Sequence, residues 1–217
     1  LSQISAALAS QIAQSGHINA LALVGLLLSV LGIGFKIAAV PMHFYAPDVY
    51  QGASAGVAAM LAFVPKTAGF LALILILSTV GWIGGEGTQG QLPSPIHEVL
   101  CVIAVLTMSV GNVLAILQTS VKRLLAYSSI AGPGPVDAPF TANGLAAVLF
   151  YLLAYGIINL GAFAVLACLE KTGPDGQPEE ADSLDDLRGL CRSRPVLGYV
   201  MVLSALGLLG LPPTLGF

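Results

Sequence analysis

Three stretches of the chain, residues 99–117, 143–169 and 196–217, contain no charged side chain, and two more, 21–40 and 55–80, contain one each, Lys36 and Lys66. A helix needs about 20 mostly apolar residues to cross a bilayer, so each of the five is a candidate span. The rest of the chain cannot supply a water-facing coat. Only 9% of the 217 residues are charged and 56% are hydrophobic, with mean hydropathy +0.89, against about 25% charged residues in a soluble domain. Barrel strands alternate apolar and polar positions over about 10 residues, and these runs do not alternate. The expected fold is all-α, a polytopic transmembrane helix bundle forming a single membrane domain over residues 1–217. A net charge of −3 offers no basic face for nucleic acid, which leaves the lipid bilayer as the main surroundings.

Cys101, Cys168 and Cys191 are scattered and have neither disulfide-framework nor metal-ligand spacing. No Gly-rich phosphate loop, HExxH, CxxC or nucleophile elbow occurs, so no cofactor or metal site is expected in this chain. The opening LSQISAALASQ lacks a basic n-region and reads as a cut into a longer chain, not as a signal peptide. The closing LPPTLGF, without a polar flank, reads the same way.

One apolar piece is too short. Leu124–Ala131 would rise only about 12 Å as a helix, and AGPGPVDAP follows, where Gly and Pro interrupt helix. Lys122 and Arg123 end the connection 118–123, which falls on the same side as 43–54, and the connection 170–195 carries Lys171, Arg188, Arg192 and Arg194. The positive-inside rule prefers all of these on one side, the cytoplasmic one. That arrangement requires a crossing that begins at Leu124, so a span is expected to be truncated or missing near residues 124–131.

The two intramembrane lysines are the candidate functional residues, because charge at membrane depth costs about 2.5–3.5 kcal/mol on insertion scales. Lys36 lies five residues before Pro41 and has two readings: its long side chain snorkels to the interface, or it sits deeper and exchanges protons with a carboxylate that comes and goes. Lys66 is near the middle of its run beside Pro65, where snorkelling is hardest. There Pro65 is expected to kink the helix and free carbonyls for the ammonium. The segment from Ala39 to Gly52 is expected to break helix at Pro41 and Pro47, as in discontinuous helices that line ion sites. His43, within it, is a proton-relay candidate or an interfacial hydrogen-bonded histidine. Lys122 is a topology anchor or a relay. The segment 170–194 reads as a solvated loop without chemistry, in which SLDDLRGL forms a surface turn. LLSVLGIGFKIAAVP (27–41) and VLSALGLLGLPP (202–213) share LSxLG and a downstream proline, a short echo that suits a transporter of two related halves.

FK-x₃-VP-x-HFYAPDVYQGAS, LAFVPKTAGF, QTSVKRLLAYSSIA, ADSLDDLRGL and GLPPTLGF follow one another in the order that resembles subunit N (subunit 2) of respiratory complex I. The likeness covers nearly the whole chain. It implies an antiporter-like subunit with inverted repeats and discontinuous helices, in the bacterial inner membrane. Such a subunit moves protons along a lysine-lined, hydrated path coupled to quinone reduction elsewhere in an NADH:quinone oxidoreductase, a translocase. On this resemblance Lys36 and Lys66 carry the proton transfer, and the role of Lys122 is less defined. NADH, FMN, iron–sulfur clusters and quinone belong to partner subunits, and the other membrane subunits of complex I are the partners. The family's histidine after AYSSI is replaced here by AGPGP; its intramembrane glutamate would precede Leu1 and a further lysine would follow Phe217. Two alternatives stand beside this reading: an Mrp-type cation/proton antiporter subunit, and a membrane scaffold that no longer transports.

Overall fold

The computed structural model describes residues 2–15, 19–81, 94–130, 142–172 and 178–212. Helices α1 (Ser2–Ser15) and α2 (Ala20–Lys36) are followed by a 3₁₀ turn over Met42–Tyr45, α3 (Ala46–Gly52), α4 (Ala55–Gly81), α5 (Ser94–Ile116), α6 (Val121–Ile130) and α7 (Ala142–Ala167). A small hairpin, β1 (Glu170–Thr172) with β2 (Pro178–Glu180), leads to a 3₁₀ turn at Leu184–Leu187, α8 (Leu190–Ser193) and α9 (Pro195–Leu208). Three helices, α4, α5 and α7, are long and apolar enough to cross a membrane, over Ala55–Ser78, Ile96–Ile116 and Val148–Ala167. The fold is the expected all-α bundle. Of the stretch 124–131, near which a truncated or missing span is expected, residues 124–130 belong to α6 and residue 131 lies outside the described residues.

Two apolar runs give shorter helices than their composition suggests. The run 21–40 is helical only to Lys36, and the run 196–217 only to Leu208, with 213–217 outside the described residues. Both helices stop in the same way. In α2 the Ala39 N–H bonds the Gly34 carbonyl at 2.8 Å and the Ala38 N–H bonds that of Phe35 at 3.1 Å, the paired bonds of a Schellman motif. In α9 Leu211 bonds Leu206 at 3.2 Å and Gly210 bonds Gly207 at 3.1 Å. The left-handed residue is Gly210 (φ 67°) in one case and Ala38 (φ 59°) in the other, and Ala38 costs about 1–2 kcal/mol for its Cβ. A proline follows each turn, Pro41 and Pro212. The two segments that echo one another in sequence therefore end in one backbone motif.

The break after α2 is packed within protein. The Val40 N–H donates to Thr107 Oγ1 of α5 at 3.0 Å, and the Tyr45 hydroxyl donates to the Phe35 carbonyl at 2.8 Å while its ring stacks on Phe35. Pro47 does not break helix as expected. It occupies the first turn of α3, where its missing N–H would have no partner in any case.

The core forms where α7 packs on α4 and α9 and where α6 enters the bundle. Phe163 and Leu166 of α7 meet Ala58 and Ala62 of α4, Leu125 and Ala126 of α6, and Tyr50 of α3. Small residues let helices approach closely in lipid, where van der Waals packing drives association. One such close approach is at Gly156, where an added Cβ would lie 2.3 Å from Cδ2 of Phe63. Gly156→Ala is expected to destabilise the full-length protein by about 1–3 kcal/mol, the cost of overpacking. Loss of folded protein on heating in detergent would measure it, and an unchanged melting profile would contradict this packing.

Candidate functional site

Lys66 projects from the middle of α4 into the interior and is only 6% exposed. Its ammonium donates to the backbone carbonyl of Ser129 on α6 and stands 6.0 Å from the centre of the Tyr155 ring on α7. Helix α4 runs through Pro65, so the ammonium finds its acceptor on another helix and not among carbonyls freed by that proline. Ser129 lies in the last described turn of α6, and a helix carries partial negative charge toward its carbonyl end. Lys66 thus bonds to the inner part of α6. Thr67, Ser129, Tyr151 and Tyr155 line a hollow around it. No acidic partner of Lys66 occurs among the described residues.

The outer end of α6 is capped by acids. The Val121 N–H bonds the Asp182 carbonyl at 2.6 Å, the Lys122 N–H bonds Asp182 Oδ1 at 3.0 Å, and the Arg123 N–H bonds Ser120 Oγ at 3.2 Å. The Leu124 N–H closes the first intrahelical turn on the Ser120 carbonyl at 3.0 Å. The four donors of the first turn are all satisfied, and Asp182 is well placed for the positive dipole end. Beside this cap Lys122, 5% exposed, donates to Glu180 at 2.6 Å and to the Ala53 carbonyl at 2.9 Å. Glu180 also accepts the Ala55 N–H at the start of α4, at 3.0 Å. Arg123 pairs with the exposed Asp48 at 3.1 Å. The basic connections around α3, α6 and the hairpin are therefore gathered at one end of the bundle.

Lys36 lies elsewhere. It is exposed on the last turn of α2, favourable for a cation at a helix C-terminus, and makes no ion pair or hydrogen bond among the described residues. Ile37 packs on α4 at Gly69, where an added Cβ would meet Ile37 Cγ2 at 2.3 Å, so Lys36 sits near the level of Lys66 but faces outward. His43 is half-buried, with Nδ1 unpaired among the described residues and its ring 6.5 Å from that of Tyr127. The structure does not bring Lys36, Lys66, Lys122 and His43 into one cluster. It separates an interior lysine, an end-capping ion pair and an outward-facing lysine.

The family model described as "NADH:quinone oxidoreductase/Mrp antiporter, TM" matches residues 2–217. The chain belongs to this family. It is 42% identical over 196 residues to NADH-quinone oxidoreductase subunit N of Salinibacter ruber, covering 89% of this chain and 37% of that protein. To the same-named subunit of Geobacillus kaustophilus it is 42% identical over 199 residues, covering 88% of this chain and 38% of the other. Among solved structures, respiratory complex I from Thermus thermophilus with bound aureothin superposes with TM-score 0.72 at 35% identity, over 99% of this chain and 46% of that one. The Mrp complex from Dietzia superposes with TM-score 0.72 at 23% identity, over 97% and 39% of the two chains, a likeness of fold. The chain spans about two fifths of the length of the curated relatives it matches.

Within this antiporter-like framework the residues missed by sequence reasoning are Glu180 and Asp182, in a segment read as solvated and inert. The signal was present: a helix beginning at Val121 has bare N–H groups and a lysine to neutralise, and the nearest dense source of carboxylates is residues 179–186. Partial burial of Glu180 pushes its carboxyl up, but the hydrogen bond from Lys122, the Ala55 N–H and the Lys122 charge outweigh it and hold the group below its ordinary 4.5. A carboxyl lowered on folding contributes stability above its ordinary pKa, and that contribution fades as pH falls through the lowered value. Glu180→Gln is therefore expected to destabilise the protein by about 1 kcal/mol at neutral pH, and the difference from wild type should shrink below 4.5 and be lost once the pH has fallen through the lowered value. Denaturation in detergent as a function of pH checks it. A gap that persists unchanged at low pH contradicts the ion pair.

Proposed function

We propose that the chain is part of a proton-translocating membrane subunit of an NADH:quinone oxidoreductase in the bacterial inner membrane. It works beside other membrane subunits of that complex, with NADH, FMN, iron–sulfur clusters and quinone held by partner subunits. The observation that carries this reading is the buried ammonium of Lys66 set on the Ser129 carbonyl of α6. A lysine can hold its proton, with three donors, or release it and present a lone pair. A neutral carbonyl and a neutral aromatic face favour the ammonium without locking it in an ion pair. Charge arriving or leaving nearby can then decide whether the proton stays. Lys36 faces outward on a neighbouring helix end, where a carboxylate from sequence or subunits beyond this chain could reach it. Lys122 serves in this reading as the anchor of the α6 cap, with Glu180 as its counter-ion.

The Mrp-type antiporter reading shares the family model and the fold, and the identity to subunit N proteins favours the oxidoreductase. Lys66→Arg in the full-length, assembled complex separates proton exchange from charge. Arginine keeps the cation and the bond to a carbonyl but does not release its proton. Proton pumping coupled to quinone reduction is expected to fall by about tenfold or more while the complex still assembles. A normal proton-to-electron ratio in the assembled Lys66→Arg complex would overturn the role. Lys36→Ala is expected to lower pumping in the same assay without loss of assembly.

A further inference from the structure

The face of α7 that looks toward Lys66 carries two polar atoms with no visible partner. Tyr155 and Asn159 are one turn apart on this helix, and the Asn159 amide donates to the Tyr155 carbonyl at 2.9 Å. Asn159 is fully buried, yet its Oδ1 and the buried Tyr155 hydroxyl both lack a hydrogen bond among the described residues. A buried polar atom left bare costs about 1–3 kcal/mol, and such atoms in folded proteins are nearly always satisfied by protein or ordered water. Two of them one helical turn apart, in an apolar span, call for one explanation.

The surroundings supply it. The Tyr155 ring stands at 6.0 Å from the Lys66 ammonium and stacks on Tyr151 with ring centres 5.7 Å apart, and Ser129 and Thr67 complete the hollow. These contacts hold the ring in place, with its hydroxyl beside the Ser129 side chain. Water occupies a buried site when two to four polar partners converge on it. Here Tyr155, Ser129 and the Lys66 ammonium border one hollow, and the side chains of Ser129 and Asn159 both lie beside the Tyr155 hydroxyl.

We propose that Tyr155 and Asn159 hold a water molecule against Lys66, and that Tyr155 is the positioning residue of this lysine. Its ring fixes the ammonium and its hydroxyl orients the water that exchanges protons with it. The inference rests on the proton-transfer reading of Lys66. The ammonium N–H bond breaks as the proton passes to the water, and the water releases one of its own to the next acceptor in the path. The amine regains a proton by the reverse step. Tyr155 keeps its O–H throughout, donating to or accepting from the water, and Asn159 accepts from it.

The test uses the full-length protein in its assembled complex and separates ring from hydroxyl. Tyr155→Phe retains the ring over Lys66 and is expected to slow pumping about fivefold to tenfold, the factor that one lost hydrogen bond is worth. Asn159→Leu should act in the same direction, and Tyr199→Phe, on the exposed face of α9 outside this hollow, should not. Infrared difference spectra on turnover should contain a water O–H band, shifted by H₂¹⁸O, that disappears in Tyr155→Phe and Asn159→Leu and persists in Tyr199→Phe. A wild-type rate and an intact water band in Tyr155→Phe would overturn the proposal. Unchanged pumping in Lys66→Arg would instead remove the reading on which it rests, so the two failures are distinguishable.

Discussion

No backbone N–H or carbonyl can be left bare in a bilayer, and this fold finds partners for the groups released where its apolar helices stop and start. Helix α6 meets the constraint at its start and receives a lysine further along. Its outer N–H groups go to Asp182 and Ser120, and near its inner end the Ser129 carbonyl receives Lys66. The lysine is tolerated in an apolar span because α6 offers it an acceptor. The Tyr155 ring stands over the same ammonium, and α7 comes close to α4 at Gly156.

The same constraint orders the rest of the molecule. Where α2 stops, a Schellman turn, Thr107 and Tyr45 take the released groups, and α9 stops in a matching turn at Gly210. The hairpin and the turn after it are stitched to the start of α4 and α6 by Glu180 and Asp182. Charge at that end goes to helix termini and ion pairs, Lys122 included, whereas Lys66 is held by a neutral carbonyl and a ring. An ion pair fixes a lysine's charge, and a carbonyl and a ring leave it free to change. That contrast between Lys122 and Lys66 is the physical basis of the proposal that one is structural and the other exchanges protons.

Much of this was legible in the sequence, for reasons that also define what was not. Apolar runs of 20 residues or more mark spans because lipid demands them, and α4, α5 and α7 lie where the composition places them. Lys66 stood out because a lone charge in such a run is costly. Its acceptor did not, because a backbone carbonyl has no letter in the sequence. The end of α2 was masked by Ala38, which takes the left-handed conformation where glycine would have announced a helix stop. Lys36 consequently emerges on the exposed last turn and not within a continuous span. Pro47 misled in the opposite direction, since a proline in a first turn looks in sequence like one that breaks a helix. Glu180 was passed over because its partner is 58 positions away.

The central claim is that the Lys66 ammonium rests on the Ser129 carbonyl and leaves it when the proton moves. Infrared difference spectroscopy of the full-length, assembled complex with ¹³C-carbonyl serine reads that bond directly. A labelled serine carbonyl band should shift during turnover. It should vanish from the difference spectrum when Ser129→Ala removes the label from that position, and also in Lys66→Ala. Turnover with no shift in any serine carbonyl would contradict the account.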